Sequence, residues 1–284
     1  MYVLVSLEQG IPRDENGCGS FGQSRGLVEF SSSILEGICN LSYQHRYGAT
    51  YPPRRQMLKG ILFDLDGTLL DSLPMTFLAL DQTFQRLGEG VRTREEVTRA
   101  FGHSERIILA QCLGVSPDSA RAAEAARIYQ EALTKLLHSA PLHDEVSDLL
   151  SHLRKMRPRL PLGIVTGRGR TATHTLLKHH GLSETFQVVV AHEDALGRSK
   201  PDPTGVLLAT EQLGLGLVRE SVLYLGDMPM DLGAARNGGL KSGLARWDRT
   251  QGLNRPEWVW TEEAHRHADF LFESPLEVLK VLQT

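Results

Sequence analysis

Two aspartates, Asp64 and Asp66, stand two residues apart in the stretch Asp64-Leu65-Asp66-Gly67-Thr68-Leu69. In an extended segment, residues i and i+2 point the same way, so both carboxylates can face one ligand. A carboxylate with a pKa of about 3.9 is ionised at neutral pH and needs no base before it attacks an electrophile. A second carboxyl group beside it can protonate a leaving oxygen and later deprotonate water. Gly67 lets the chain turn sharply after the pair. The same four residues also suit a turn carrying two solvated acids, so the pair alone leaves both readings open.

Three further polar sites lie downstream. Thr166-Gly167 follows the apolar run Leu162–Val165 and precedes a helical stretch. A hydroxyl and free backbone N–H groups at such a turn make a cradle for phosphate. Lys200 precedes Pro201-Asp202-Pro203, where a helix starts, and its ammonium could neutralise a phosphorylated carboxylate. Gly226-Asp227 ends the run Val222–Leu225, with Asp231 four residues on. Oxygens from Asp64 and Asp227 suit Mg²⁺, a hard ion that takes one or two carboxylates plus a substrate phosphate. Each has a plainer alternative: a helix cap at Thr166, a surface charge at Lys200, a turn residue at Asp227. Arg168 is placed either at the substrate or on a helix surface.

These residues need a scaffold that gathers strand ends. Leu58–Phe63, Leu162–Val165, Gln187–Ala191, Val222–Leu225 and Phe270–Phe272 are short apolar runs that suit buried parallel strands. Helical patterns at Asp144–Met156, Thr171–His180, Pro203–Leu213 and Pro275–Leu282 alternate with them. The alternation predicts an α/β fold, a Rossmann-like parallel sheet with helices on both faces. Residues 73–140 interrupt it with four helical patterns and no strand, which predicts an inserted all-helical cap. The expected division is a core of 57–72 and 141–284, a cap of 73–140, and an extension over 1–56. That extension is rich in Gly and Ser, and is expected to be floppy or to precede a natural start at Met57. In the cap, His103 and Arg106 fall in a helix-to-helix connection. A loop facing the site could select substrate through them.

Composition excludes several classes. The 284 residues carry 31 basic and 34 acidic side chains, a net charge of −3, so no broad basic field suggests a nucleic-acid partner. No apolar run approaches the roughly 18 residues of a membrane span. Three cysteines, Cys18, Cys39 and Cys112, without C-x-x-C spacing, argue against a disulfide framework or a zinc site and make a reducing cytoplasm the expected compartment. The pairs His179-His180 and His265/His267 lack metal-ligand spacing and read as surface histidines.

Taken in order, DLDGT at Asp64–Thr68, Thr166, Lys200 and GDMPMD at Gly226–Asp231 resemble the haloacid dehalogenase-like hydrolase superfamily, in its phosphatase branch with an inserted helical cap. The layout is similar to the phosphoglycolate phosphatase-like group. The resemblance implies a Mg²⁺ cofactor, an aspartyl-phosphate intermediate and a small phosphorylated metabolite as substrate. It implies Asp64 as nucleophile and Asp66 as acid/base. Asp64, the Asp66 carbonyl and Asp227 would be metal ligands, with Asp231 in support. Thr166, Gly167 and Lys200 would hold phosphate. The dehalogenases of the superfamily lack the second Asp, and its presence at Asp66 disfavours that reaction. A phosphomutase of the same superfamily and a phosphoacceptor signalling domain are the alternatives.

Overall fold

The run Gly60-Ile61-Leu62-Phe63 forms β1 (Gly60–Phe63), and all four residues are buried. Successive strand side chains point to opposite faces. Ile61 and Phe63 accordingly join one apolar cluster while Leu62 joins another. A strand apolar on both faces must be covered on both, which places β1 inside the sheet.

The computed structural model describes residues 57–100, 104–156, 158–247 and 268–282. After β1 comes a helical insertion: α1 (Leu73–Arg86), α2 (Arg94–Thr98), α3 (Glu105–Leu113), α4 (Ala120–Leu136) and a 3-10 turn, Leu137–Ser139. The core elements follow as α5 (Val146–Lys155), β2 (Leu162–Val165), α6 (Arg170–His179), β3 (Val188–Val190), α7 (Thr204–Gln212), β4 (Val222–Gly226), α8 (Pro229–Gly238), β5 (Lys241–Ala245) and β6 (Phe270–Phe272). The six strands are parallel, in the order β3-β2-β1-β4-β5-β6. The chain builds outward from β1 through β2 to β3, then crosses back to lay β4 on the other side of β1. The order therefore reverses between β1 and β4. Open sheets bind ligands at such a switch point, beyond the carboxyl ends of the strands.

Helices cover both faces. Leu149 and Leu153 of α5 and Leu176 of α6 pack with Ile61 and Phe63. Val206 and Ala209 of α7 and Ala234 and Ala235 of α8 pack with Leu62 and Tyr224. The first cluster runs on into the inserted helices through Phe77, Leu80, Phe84, Leu109 and Leu133. Local signals set the ends of helices within the insertion. α2 opens with a reciprocal capping box between Thr93 and Glu96. Ser119 accepts the Ala122 N–H at the start of α4, and Gly114 ends α3 at φ 66°.

Two elements differ from the sequence reading. β5 does not announce itself: Lys-Ser-Gly-Leu-Ala has no apolar alternation. The closing segment, expected as a helix, is a 3-10 helix over Pro275–Val281. Residues 1–56, His103 and the pair His265/His267 lie outside the described residues. Among the described residues, no helix is long and apolar enough to cross a membrane.

Candidate active site

The Asp64 N–H donates to the Leu225 carbonyl at 2.8 Å, so the β1–β4 ladder continues one residue past the strand. That bond sets Asp64 beside the end of β4. The chain then turns at Gly67, whose φ of 80° is a left-handed conformation that favours glycine, and the Gly67 N–H donates to the Leu70 carbonyl at 2.7 Å. Asp64, Asp227 and Asp231 are 6%, 2% and 1% exposed. Carboxylate oxygens of the three lie within 4.8 Å of one another.

Lys200 is the counter-charge. Its Nζ donates to Asp64 Oδ1 at 2.8 Å, to Asp231 Oδ1 at 2.5 Å and to the Tyr224 hydroxyl at 3.0 Å, which uses all three N–H bonds. The Tyr224 hydroxyl lies 3.0 Å from the Val165 carbonyl and 3.1 Å from Asp231 Oδ1. Asp231 Oδ2 accepts the Met228 N–H at 3.0 Å, so both its oxygens are engaged. Burial would deprotonate Lys200, but Asp231 and Asp64 hold its pKa well above the ordinary lysine value. Asp64 is pushed well above the usual carboxylate range by burial; Lys200 opposes this, while Asp231, Asp227 and Asp66 add to it.

Asp64 and Asp231 thus share one ammonium, and with Asp227 beside them the cluster sets three carboxylates against one bonded cation. Asp231 is spent on Lys200 and Met228. Asp227, at the end of β4, accepts the Thr68 hydroxyl on Oδ1 at 2.9 Å. Hard oxygen donors with surplus negative charge fit a small divalent cation such as Mg²⁺.

Arg168, left between two placements by the sequence, lies in the site. It is 5% exposed. It grips Asp66 with two groups, Nε to Oδ2 at 2.9 Å and Nη2 to Oδ1 at 2.6 Å. Burial would raise Asp66, yet the guanidinium beside it holds its carboxyl below the usual range. The Arg168 N–H donates to the Thr166 hydroxyl at 3.1 Å, which fixes the turn that carries Thr166 and Gly167. Arg168 Nη1 is buried and has no partner among the described residues.

A cavity of about 150 Å³ lies between these groups and the inserted helices, and Asp64, Asp66, Thr166, Gly167, Arg168, Lys200, Asp227 and Asp231 all line it. The cap wall includes Leu73, Thr76, Thr98, Glu105, Ile108 and Tyr129. Glu105 Oε2 accepts a hydrogen bond from Gln130 Nε2. Burial pushes the Glu105 carboxyl and the Tyr129 hydroxyl up. Arg106, expected to face the site, does not: it is exposed, does not line the cavity, and donates from Nε to the Pro117 carbonyl at 2.5 Å. Residues 105 and 106 point about 100° apart on a helix, so only one of two neighbours can reach the cavity.

The sequence reading did not assign Thr68, Tyr224 or Glu105. Tyr224 had a signal: a tyrosine inside a buried apolar strand needs a partner for its hydroxyl. Glu105 had none, because its placement depends on how α3 lies over the sheet.

Residues 61–245 match the family model for haloacid dehalogenase-like hydrolases. The chain is 34% identical over 235 residues to the N-acetylmuramic acid 6-phosphate phosphatase of Pseudomonas aeruginosa, covering 81% of this chain and 96% of that protein. It is 29% identical over 247 residues to the phosphoglycolate phosphatase of Escherichia coli O157:H7, covering 79% and 92%. Among solved structures, CbbY from Rhodobacter sphaeroides in complex with phosphate superposes with a TM-score of 0.67 at 24% identity, over 80% of this chain and all of that one. A hydrolase from Pseudomonas syringae superposes at 0.65, also at 24% identity, over 79% and 98%. At that identity the superpositions show the fold.

Proposed function

The chain belongs to the haloacid dehalogenase-like hydrolase family, and from that premise we propose that it is a Mg²⁺-dependent phosphomonoesterase that forms a phosphorylated intermediate on Asp64, with a small phosphorylated metabolite as substrate. One observation carries this reading. A nucleophile, an acid/base, a phosphate cradle and a cation-binding pair converge in one cavity at the β1–β4 switch point.

In this reading Asp64 attacks phosphorus with one carboxylate oxygen, and the ester P–O bond breaks. Asp66 gives its proton to the departing alkoxide. Water then attacks the phosphorylated Asp64 while Asp66 takes its proton, and inorganic phosphate leaves. The Thr166 hydroxyl and the Gly167 N–H hold the phosphoryl oxygens, and Lys200, bonded to Asp64, neutralises the charge of the phosphorylated carboxylate. Asp64, Asp227 and the Asp66 carbonyl would hold Mg²⁺, which when bound neutralises charge on the transferring group. Asp231 fixes Lys200. The Arg168 pair favours the ionised form of Asp66, the form the second step requires.

The names of the relatives support a small phosphorylated substrate, a sugar phosphate or a phosphoglycolate. The test is steady turnover of p-nitrophenyl phosphate with Mg²⁺, loss on chelation, and recovery on adding Mg²⁺ but not Ca²⁺, whose loose coordination of six to eight ligands would misplace the attack. Asp64→Asn should retain the fold and lose nearly all turnover. Full activity in excess chelator, or substantial turnover by folded Asp64→Asn, would overturn the reading. Turnover that appears only with an added sugar bisphosphate would indicate a mutase.

A further inference from the structure

The turn after β1 closes through Leu65, whose carbonyl accepts the Leu69 and Leu70 N–H groups at 3.0 and 2.9 Å. The Thr68 carbonyl, on a residue with 0% exposure, takes its bond from far along the chain: Trp247 Nε1 donates to it at 2.9 Å. Trp247 lies just past the end of β5 and is buried. A buried indole N–H and a buried carbonyl each need a partner, and here each serves the other. Thr68 in turn donates its hydroxyl to Asp227 Oδ1 at 2.9 Å, and that contact is buried too. In the sheet, β4 lies between β1 and β5. Trp247 therefore reaches across the end of β4 to the turn after β1, and that turn reaches back to the carboxylate at the end of β4.

We infer that Trp247 is a positioning residue for the cation site: by holding the Thr68 backbone it holds the Thr68 hydroxyl, which fixes the orientation of the Asp227 carboxylate. The inference rests on the reading that Asp64 and Asp227 hold a divalent cation, and deepens it. A hydrogen bond to an ionised carboxylate is among the stronger ones, and its direction sets how the carboxylate lies. Groups that orient a metal ligand without touching the metal tune its affinity, by about 10–100-fold when they are removed. Trp247 acts one step further out, through a backbone carbonyl, so the lower end of that range applies. The rest of the indole packs in the apolar cluster that contains Phe63, Leu65 and Leu69. A phenyl ring in its place keeps most of that packing and loses the N–H.

The experiment measures Mn²⁺ binding to the full chain by electron paramagnetic resonance of the free ion, at a temperature where circular dichroism shows each variant folded. Mn²⁺ takes the same oxygen ligands as Mg²⁺. Trp247→Phe should raise the Kd about tenfold. It should raise the Mg²⁺ concentration needed for half-maximal turnover of p-nitrophenyl phosphate by a similar factor, while kcat at saturating Mg²⁺ falls much less. Thr68→Val removes the hydroxyl and should raise the Kd on its own. In that background Trp247→Phe should add less than about twofold, because the link is already cut. Thr68→Ser keeps the hydroxyl and should keep the full effect of Trp247→Phe. A packing role alone would lower the melting temperature of Trp247→Phe and leave its Kd at the wild-type value. That result, or equal effects of Trp247→Phe in the Thr68→Val and Thr68→Ser backgrounds, would overturn the inference. Nuclear magnetic resonance supplies a test that does not need Trp247→Phe to fold. The Trp247 indole N–H resonance should shift when Mg²⁺ saturates the wild type, and by much less in Thr68→Val; no shift, or the same shift in both, would also overturn it. A wild type that binds no Mn²⁺ would defeat the cation reading and this inference with it, whereas binding with an unmoved Kd in folded Trp247→Phe would defeat the inference alone.

Discussion

Asp66 is asked to serve two steps with opposite protonation needs, and its surroundings favour one of them. The Arg168 guanidinium, 2.6 and 2.9 Å away, stabilises the carboxylate. That suits the removal of a proton from water and works against giving a proton to a leaving group. The role of Asp66 therefore depends on how much help the leaving oxygen needs. Alkyl phosphates leave as strong bases and need the proton; aryl phosphates leave readily without it. Asp66→Asn should accordingly cost alkyl phosphates about 10²–10⁴-fold in turnover, the usual range for losing a general acid. With an aryl phosphate the first step should survive, while hydrolysis of the intermediate slows because water has lost its base. Rapid-quench kinetics should then show a burst of phenol followed by slow turnover. Equal losses on both substrates with no burst would remove Asp66 from the acid/base role.

At the scale of elements, the turn from β4 into α8 shows how closely the backbone is fitted to the site. Asp231 folds back over the end of β4, and a Cβ on Gly226 would lie 2.3 Å from its Cγ. Gly226→Ala should push Asp231 off Lys200, leaving a buried ammonium with one carboxylate partner fewer. We expect at least about 100-fold loss of kcat and about 2–4 kcal/mol loss of stability, the range for disturbing a buried, charge-assisted network. Kinetics and denaturant melts of the variant would check both, and wild-type values in either would refute the steric argument. Such features were partly legible in the sequence. The Asp-x-Asp-Gly turn, the Thr-Gly turn, the lysine before Pro201 and the Gly-Asp turn are local patterns, readable because each ends a short apolar run. Two kinds of feature were not legible. β5 is a strand because β4 and β6 flank it, and its small residues are there for fit: a Cβ on Gly243 would come within 3.1 Å of Leu225, Leu223 and Phe272 side chains. Its buried Ser242 is satisfied by Asp269, 27 residues away, a pairing that no window on the sequence contains. Likewise, which of Glu105 and Arg106 faces the cavity depends on the rotation of α3 about its axis, set by the packing of Leu109 and Ala110.

For the whole molecule, the remaining question is how much of the chain the enzyme needs. The family model begins at Ile61, and the part of this chain aligned with the Pseudomonas aeruginosa relative, 81% of it, spans 96% of that protein. The described residues already contain six strands, helices on both faces, the inserted helices and the cavity that gathers Asp64, Asp66, Thr166, Lys200 and Asp227. The first strand is anchored to downstream segments: the Lys59 N–H donates to the Ser221 carbonyl at 2.8 Å and the Ile61 N–H to the Pro161 carbonyl at 3.0 Å. Among the described residues, the strand partners of Gly60–Phe63, β2 and β4, both lie downstream in the sequence. A protein beginning at Met57 should therefore fold and turn over p-nitrophenyl phosphate with the same kcat and KM as the full chain. Its melting temperature should stay within about 4 °C, since that shift corresponds to roughly 1–2 kcal/mol in a domain of this length. Thermal melts and steady-state kinetics on the two proteins would decide it. A larger fall in melting temperature would mean that residues 1–56 bury apolar surface on the core. A changed KM with an unchanged melting temperature would place part of that segment at the substrate.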